Sequence, residues 1–365
     1  MFKFLKSINV YIENIKIGIL ALTPDNLCAF EYDTNWLKNG FSISPFHIPL
    51  KQGVFISKAE PFDGLFGVFN DSLPDGWNRL LIDRLLLKNK IDPSFLNPIE
   101  RLSIVGSNGM GALIYKPENS FVNNKDSTDL KYIEQEVNKI LNDNYTGNIE
   151  TLVNKGGSSG GARPKILINI DNEEWIIKFK SSQDPKNIGI LEYKYSLSAK
   201  KAGIIMSETK LFDNKYFAIK RFDRENNKRI HMHTVAGLLN ASHRVLSLDY
   251  KTLMETTLAL TKDMNEVEKM YRLMVFNILS SNKDDHSKNF SFIYKNNRWQ
   301  ISPAYDLVYS EGFNGQHTTT VLGEGNPKKE HLFDLAKEIG LNKKRYKTIF
   351  NEVFEATKNI KNLKG

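Results

Sequence analysis

Strand-like patterns dominate the first 220 residues of this chain, whereas helical patterns dominate beyond about residue 233. Apolar residues alternate over residues 8–20, 165–170 and 175–180, which is the period of a strand with one buried face. From about 233 to 280 the apolar spacing indicates helices, and the last 30 residues are helical again. This order predicts an α+β fold with a β-rich N-terminal part and a helical C-terminal lobe.

Further elements follow from the same patterns and from the turn residues between them. Strands are predicted at 28–32, 111–115, 208–212, 216–221, 290–294 and 298–301, and helices at 77–88, 130–141 and 189–202. The polar stretch 117–129 is the best candidate for a linker, so a domain boundary is expected near it. A cleft between a sheet-rich lobe and a helical lobe is a common place for a nucleotide.

Composition excludes several classes of protein. The single cysteine, Cys28, rules out an intramolecular disulfide framework and a cysteine-based zinc cage, and it suits a cytoplasmic location. No run of 18 apolar residues is present, and the first residues read as a strand rather than a targeting signal, so no membrane partner is expected. The net charge of +8 favours anionic partners but also describes a lysine-rich surface. His231 and His233 lack a third ligand at metal-site spacing.

The strongest chemical signal lies at residues 282–289. Asp284 and Asn289 have the spacing of a phosphoryl-transfer loop, in which the carboxylate accepts a hydroxyl proton and the amide oxygen binds Mg²⁺. A predicted hairpin at 290–301 is followed by Asp306, where such sites place a second Mg²⁺ ligand. His286 is expected to orient the loop, with a role as base as the alternative. Asp285 stays open as the proton acceptor, and simple turn formation is the alternative for the whole loop.

Two features upstream would add phosphate-binding groups. Lys178 lies within an apolar strand, where its ammonium group needs a negative partner such as ATP phosphate, unless it points to water. Glu192 on the next predicted helix is its candidate ion-pair partner. The glycine-rich loop at 156–161 would let backbone N–H groups approach phosphates, although such a loop is also common as a flexible connection. Arg163 and Lys165 follow it directly.

Several motifs resemble the HipA family of bacterial toxin kinases from type II toxin–antitoxin systems. The resemblance covers nearly the whole chain, with the motifs in family order. The matching segments are residues 69–76 (FNDSLPDG), 105–113, 158–165, 221–224 (RFDR), 284–289 and 305–306. It implies a two-lobed, protein-kinase-like fold with an additional N-terminal β-rich subdomain.

The resemblance also implies cofactors and site residues. ATP and Mg²⁺ would be bound, with Asp284 as catalytic base and Asn289 and Asp306 as metal ligands. Candidate nucleotide-binding residues are Lys178, Ser158, Ser159, Gly160, Gly161, Lys165, Lys220, Phe222 and Lys288, with Lys220 and Phe222 in the hinge that meets adenine. Ser158, or its neighbour Ser159, matches the serine that family members phosphorylate on themselves, and a phosphate there would expel the loop.

The implied domains are 1–118 (N-terminal subdomain), 119–129 (linker), 130–222 (ATP-binding region) and 223–365 (helical catalytic lobe). The implied partners are a small helix-turn-helix antitoxin, through which DNA would be bound indirectly, and a protein substrate such as an aminoacyl-tRNA synthetase. The predicted function is therefore a serine/threonine kinase that inhibits growth. The alternatives are a small-molecule or lipid kinase, because the loop does not fix the substrate, and an inactive corepressor subunit.

Overall fold

The structure is a computed structural model that describes residues 2–119, 129–142, 149–158, 160–242, 248–360 and 363. The chain divides into two compact units. The first unit comprises Met1–Asp184 together with Asp223–His231, and the second comprises Pro185–Phe222 and Met232–Gly365. The first unit is therefore built from two separate stretches of sequence.

Strands and helices occur in short runs along the chain. The strands are β1 (Ser7–Ile12), β2 (Ile15–Leu22), β3 (Cys28–Tyr32), β4 (Val54–Ile56), β5 (Leu113–Lys116), β6 (Lys165–Ile170), β7 (Glu173–Lys178), β8 (Thr209–Phe212), β9 (Tyr216–Lys220), β10 (Arg224–Glu225), β11 (Lys228–Arg229), β12 (His231–Thr234), β13 (Ser291–Lys295) and β14 (Arg298–Ile301). The helices are α1 (Thr34–Asn39), α2 (Gly67–Asn70), α3 (Gly76–Lys88), α4 (Pro98–Val105), α5 (Leu130–Leu141), α6 (Ile149–Gly156), α7 (Ile188–Lys201), α8 (Val235–Leu238), α9 (Tyr250–Thr261), α10 (Met264–Ser280), α11 (Lys329–Glu338) and α12 (Lys343–Thr357).

An antiparallel sheet of order β4-β3-β2-β1-β5 organises the first unit. Successive side chains point to opposite sides of a strand, but the register between β1 and β2 shifts at Val10 and Tyr11. In β2, Ile17 and Leu20 are therefore buried while Ile15 and Ile19 are exposed, and Phe30 of the neighbouring strand is buried as well. The buried residues belong to one apolar core with α4. The core is closed by β5, which pairs with β1 across about a hundred residues of sequence.

Several hairpins share one type of turn. Their two central residues both have positive φ, as type I′ turns require, and asparagine and aspartate tolerate this conformation better than other non-glycine residues. The central pairs are Asp171-Asn172 (β6–β7), Asp213-Asn214 (β8–β9), Asn226-Asn227 (β10–β11) and Asn296-Asn297 (β13–β14). The hairpin predicted at 290–301 is therefore formed, with Asn296-Asn297 as its turn.

The second unit surrounds α10. Tyr271, Met274 and Phe276 on this helix are buried, and they share a core with residues of α7, α9 and α12. α10 packs against both α9 and α12. Since the buried side of α10 continues to its last turn, the residue that ends it, Ser281, starts the next loop from a fixed position.

The stretch predicted as helical, 233–280, begins instead with β12 and is then divided among α8, α9 and α10. β12 forms the edge of the sheet of order β12-β13-β14. Its strand conformation depends on β13, which lies some sixty residues later, so periodicity within the segment could not reveal it. Among the helices that the structure describes, none is long and apolar enough to cross a membrane.

The compact units do not follow the predicted domain boundaries. The first unit includes residues 130–184 and 223–231, which the sequence prediction assigned to the ATP-binding region and the catalytic lobe. Most of the predicted linker 119–129 lies outside the described residues. The predicted domains thus stay a prediction.

Candidate active site

The loop 282–289 starts from a well-anchored helix end. Ser281 adopts a left-handed conformation with φ of 56° and ends α10. Asn282 then turns back to the helix, since its backbone N–H donates to Asn277 O at 2.9 Å. Its side-chain Nδ2 donates to Asn277 Oδ1 at 3.0 Å. The first residues of the loop are therefore held to the last turn of a buried helix.

Asp284 and Asp285 point in opposite directions. The side chain of Asp284 is 66% exposed, whereas that of Asp285 is 0% exposed. The Asp285 carboxylate accepts hydrogen bonds from the Tyr250 hydroxyl at 2.7 Å and from the backbone N–H of Thr318 at 2.9 Å. Of the two carboxylates that the sequence left open, Asp284 is thus the one that an incoming hydroxyl group can reach.

Asn289 closes the loop across the five-residue spacing. Its Nδ2 donates to the backbone oxygen of Asp284 at 2.6 Å. Because that bond uses the amide nitrogen, the Oδ1 atom is the part of the side chain that could face a cation. The spacing between Asp284 and Asn289 that singles out this loop therefore has a direct structural counterpart.

His286 caps the short 3-10 turn Ser287–Asn289. Its Nδ1 accepts the backbone N–H of Lys288 at 3.2 Å, so a neutral imidazole carries its proton on Nε2. That Nε2 lies 4.0 Å from Asp284 Oδ1, which is too long for a direct hydrogen bond. In this geometry His286 shapes the loop beside Asp284.

Tyr305 connects the loop to the segment that carries Asp306. Its hydroxyl donates to the backbone oxygen of Lys288 at 2.7 Å and also bonds the Ser291 hydroxyl. Lys288 adjoins Asn289, and Tyr305 adjoins Asp306, so one hydrogen bond links the neighbours of both predicted metal ligands. Asp306 itself has a φ of 53°, which bends the chain immediately after Tyr305.

The predicted hinge lies beside the same tyrosine. The Phe222 and Tyr305 rings stack with centroids 5.8 Å apart and an interplanar angle of 25°. Lys220 is the last residue of β9, and its backbone N–H donates to Glu208 O at 2.9 Å. Within the second unit, the structure therefore brings the hinge, the loop 282–289 and the start of the Asp306 segment together.

The donor set fits a hard cation. Among the described residues, no group of three histidine, cysteine, aspartate or glutamate side chains is arranged to hold a metal ion. The predicted set is one amide oxygen and carboxylate oxygens, from Asn289, Asp306 and the nearby loop. Mg²⁺ prefers oxygen ligands and commonly takes only one or two carboxylates, with phosphates and waters completing its shell. The residues present therefore fit Mg²⁺ and do not fit a structural zinc ion.

The glycine-rich loop lies in the first unit and is attached to two N-terminal motifs. The Ser158 hydroxyl accepts the backbone N–H of Met110 at 2.9 Å, and Ser158 is only 2% exposed. The backbone N–H of Gly161 donates to the Asp75 carboxylate. The Lys165 ammonium group donates to the backbone oxygen of Gly160. The second serine considered from the sequence, Ser159, lies outside the described residues.

Lys178 ends β7, where it stands opposite Lys165 in the β6–β7 pair. Ile177 and Phe179 on either side are buried, while Lys178 is half-buried. Glu192, the predicted partner of Lys178, is buried in α7 of the second unit. The predicted pairing, like the nucleotide-binding role of the glycine loop, stays a prediction.

Family models match both parts of the chain. Residues 8–116 match the HipA N-terminal domain, and residues 157–360 match the HipA-like C-terminal domain. The chain belongs to the HipA family. The predicted family is thus confirmed, and the segments at 69–76, 221–224 and 284–289 lie within the two matched ranges.

Individual relatives agree with this membership. A protein of Sinorhizobium fredii named "Putative kinase Y4dM" is 27% identical over 196 residues, covering 47% of this chain and 47% of the relative. A Haemophilus influenzae protein named "Putative kinase" is 29% identical over 113 residues, covering 27% of this chain and 33% of the relative. Each match spans less than half of the relative's length.

A solved structure shows the same fold. HipA of Shewanella oneidensis MR-1, in a complex of HipA, HipB and operator DNA from a toxin–antitoxin system, aligns with a TM-score of 0.72. The alignment covers 97% of this chain and 90% of that chain at 18% identity. The predicted α+β, HipA-type fold is therefore confirmed.

Sequence reasoning missed several residues that hold this HipA-family site together. Tyr250 and Thr318 bind Asp285, yet they lie more than thirty residues from it in the chain. Asp75 and Met110 bind the glycine loop from within motifs that the sequence had singled out only as family signatures. The local signal for Asp75 was its place in the turn 71–76, which indicates a loop but not its partner.

Proposed function

We propose that this chain is an ATP-dependent, Mg²⁺-using kinase that phosphorylates serine or threonine hydroxyl groups and serves as the toxin of a toxin–antitoxin module. The observation that carries the proposal is the exposed Asp284 carboxylate on a loop closed by Asn289. Membership of the HipA family and the kinase names of two relatives support the same reaction class.

Asp284 acts on the substrate hydroxyl. Its carboxylate accepts the hydroxyl proton as the oxygen becomes the nucleophile, and its exposure leaves room for a protein substrate. His286 keeps the turn 287–289 in place through its Nδ1 atom, which maintains the distance between Asp284 and Asn289. The loop 282–289 holds Asp284 and Asn289 at a fixed separation and provides one proton acceptor. Phosphoryl transfer depends mainly on such positioning of the reacting groups.

The remaining predicted residues would bind ATP and its metal. Asn289 Oδ1 and the Asp306 carboxylate would hold Mg²⁺, which when bound neutralises charge on the transferred phosphate. The groups proposed to bind the nucleotide are Lys178, Lys165, Lys288, Ser159, Gly160 and Gly161 around the phosphates, and Lys220 and Phe222 around adenine. Backbone N–H groups of a glycine loop suit this role because no side chain keeps the phosphates away.

Ser158 is proposed as the site of autophosphorylation, with Ser159 as the alternative. Its hydroxyl is bound to the Met110 N–H and is almost completely buried. Phosphorylation therefore requires the loop to leave Met110, and the added charge of roughly −2 cannot return to that buried position. In a phosphorylated chain the loop would stay away from its position at Met110, and the phosphate would thereby switch off the proposed kinase activity.

Partners follow from the same proposal. Because the Shewanella HipA structure contains HipB and operator DNA, we propose a small helix-turn-helix antitoxin as partner, with DNA bound through it. An aminoacyl-tRNA synthetase is the proposed protein substrate. Phosphate transfer to such an enzyme would block translation and growth.

The test is intact-mass measurement after incubation with Mg²⁺-ATP, with and without a bacterial protein extract and radiolabelled ATP. Asp284→Asn removes one exposed carboxylate, and Asp213→Asn is its matched control. Asp213 is exposed in the same unit, and its left-handed turn conformation suits asparagine equally well. We expect Asp284→Asn to slow transfer roughly 10²–10⁴-fold, the usual contribution of a general base, and Asp213→Asn to behave like wild type.

Each outcome discriminates among functions. One added phosphate on wild type, mapped to Ser158 or Ser159, together with label in a protein of the extract, supports the protein kinase. Label found in small molecules alone would point to a small-molecule or lipid kinase. No transfer by a protein whose starting mass is unphosphorylated would refute the kinase and leave the corepressor role.

A further inference from the structure

A second carboxylate, Asp285, lies next to the proposed base but has no access to substrate. The side chain is buried, and four hydrogen-bond donors surround it. Oδ2 accepts from the Tyr250 hydroxyl at 2.7 Å and from His317 Nδ1 at 2.9 Å. Oδ1 accepts from the backbone N–H groups of Thr318 at 2.9 Å and Thr319 at 3.2 Å. Both oxygens of this buried carboxylate are therefore used as hydrogen-bond acceptors.

The donors have definite roles. The Tyr250 hydroxyl donates to the carboxylate, and the tautomer of His317 with a hydrogen on Nδ1 makes this ring the second side-chain donor. Burial, reinforced by the nearby Asp285 charge, raises the pKa of Tyr250 well above 10, which keeps this hydroxyl a donor in any physiological medium. The same hydroxyl accepts Asn277 Nδ2 at 3.0 Å. Asp285 is thereby connected to α9 through Tyr250 and to α10 through Asn277.

The segment 317–320 also holds the backbone on both sides of Asp284. Before it, the Lys283 oxygen accepts the N–H and the hydroxyl of Thr318, both at 3.1 Å. After it, the backbone oxygen of Asp285 accepts the Thr319 hydroxyl. Since Asn289 binds the oxygen of Asp284 itself, all three carbonyl groups from 283 to 285 are engaged. Asp284 therefore presents an exposed side chain from a backbone that is held by hydrogen bonds on both sides.

We propose that Asp285 is a positioning residue of the phosphoryl-transfer site, whose carboxylate clamps segment 317–320 to loop 282–289 and thereby presents Asp284. The proposal rests on the proposed kinase function. Segment 317–320 follows Asp306 along the chain, and in many kinases a segment in this place is ordered by a phosphate group. Here the Asp285 carboxylate makes the contacts that hold the segment.

The hydroxyl groups of the segment support a clamp that needs no modification. Thr318 and Thr319 donate to loop 282–289, and the Thr320 hydroxyl donates to Asp249 Oδ2 at 2.6 Å. Each hydroxyl is thus used as a donor in the unmodified chain, and a phosphate on any of them would lose that bond. We therefore expect activity without phosphorylation of this segment.

The experiment compares Asp285→Asn and Tyr250→Phe with Tyr271→Phe. Tyr271 is a matched control because it is buried in the same unit and its hydroxyl donates to Leu332 O at 3.3 Å, away from the loop. For each variant, kcat, the KM for ATP, the thermal midpoint and hydrogen exchange of peptides covering 313–322 are measured. We expect Asp285→Asn to lower kcat on the order of 10²-fold, as a misplaced catalytic group does, with little change in KM and faster exchange in 313–322.

A conservative pair at His317 separates clamping from simple stability. His317→Asn keeps an N–H donor close to the position of Nδ1, whereas His317→Leu removes the donor at similar volume. The clamp requires His317→Asn to retain clearly more kcat than His317→Leu at a temperature where both are folded. Tyr271→Phe is expected to change the midpoint alone.

Equal kcat for Asp285→Asn and wild type would overturn the proposal. The proposal would also be overturned if Asp285→Asn and Tyr271→Phe lost kcat in the same proportion to their loss of thermal midpoint. If wild type transfers no phosphate, the proposed function fails, and the exchange measurement then decides on the clamp: unchanged exchange at 313–322 in both Asp285→Asn and Tyr250→Phe refutes it. Should Asp285→Asn not fold, Tyr250→Phe and the His317 pair carry the test.

Discussion

Arg224 joins two backbone oxygens to a buried carboxylate, and its replacement by methionine gives a prediction that can be worked out in detail. Its Nη2 donates to Gly109 O, and its Nη1 donates to Gly111 O and to Asp223 Oδ2, each at 2.9 Å. The Arg224 side chain is 10% exposed and that of Asp223 is 0% exposed. Methionine matches the length of the aliphatic stem but donates no hydrogen bond.

The expected loss in free energy of unfolding follows from the charge that remains on Asp223 when Arg224 is replaced. Removing one partner of a buried ion pair typically costs about 3–5 kcal/mol, because the other charge stays buried. Asp223 Oδ2 keeps the N–H of Gly111 at 2.6 Å, so we expect the lower end, about 3 kcal/mol for Arg224→Met. At roughly 2–4 °C per kcal/mol for a unit of this size, the midpoint should fall by about 6–12 °C. Arg224→Lys keeps the charge but loses the forked geometry, and should cost about 1–2 kcal/mol.

The assay is thermal unfolding followed by calorimetry, with hydrogen exchange of peptides covering 106–115 as a probe of the first unit. Arg79→Met is the control, because the Arg79–Asp83 pair is 3.7 Å apart and half-exposed, and surface pairs contribute about 0–1 kcal/mol. The double variant Asp223→Asn/Arg224→Met should recover part of the loss, since the buried charge of Asp223 is then removed together with Arg224, and Glu174, the other ion-pair partner of Arg224, is 40% exposed. A midpoint change as small as that of Arg79→Met, or a double variant as unstable as the sum of the singles, would refute the reasoning.

Two further predictions concern one glycine and the cysteine. Gly189→Ala, which in an ordinary helix stabilises by about 1 kcal/mol, should instead lower the thermal midpoint, because a Cβ there would lie 2.0 Å from Lys215 O. Burial raises the pKa of Cys28 to about 12 from its ordinary value near 9, so a thiol reagent at pH 8 should label it only after unfolding. Below pH 9 the Cys28 thiol keeps its proton in both the folded and the unfolded state, whereas between about pH 9 and 12 only the unfolded state releases it. In that range the free energy of unfolding of wild type, relative to that of Cys28→Ala, should fall by about 1.4 kcal/mol per pH unit.

Local patterns predicted the elements whose signals lie within a few residues. The alternation around 8–20 predicted β1 and β2, and the alternation over 165–170 and 175–180 predicted β6 and β7. Helix α4 was missed although its signal was present: Asn97 and Glu100 form a capping box, with Pro98 at the first helical position. A search for caps in addition to apolar periodicity would have found it.

Other features could not be predicted because they depend on distant partners. Asp284 and Asp285 are chemically identical neighbours, and the difference in their exposure is set by Tyr250 and His317, which lie 35 and 32 residues away in sequence. Likewise β12 becomes a strand only where β13 is available to pair with it. Spacing rules identified the loop, but three-dimensional packing decides which of its two carboxylates faces outward.

The first unit consists of two separate stretches of sequence, and this affects when it can fold during synthesis. During translation, residues 185–222 of the second unit are synthesised before Asp223 and Arg224. Asp223 and Arg224 nevertheless form hydrogen bonds with Gly109 and Gly111 of the first unit. Arg229, later still, donates its backbone N–H to Glu13 Oε1 at 2.7 Å, joining the ends of that unit. N-terminal units usually fold first during synthesis, but here the first unit has to wait for part of the second to emerge. The contacts that Asp223 and Arg224 make with Gly109 and Gly111 can therefore form only after residue 224 has been synthesised.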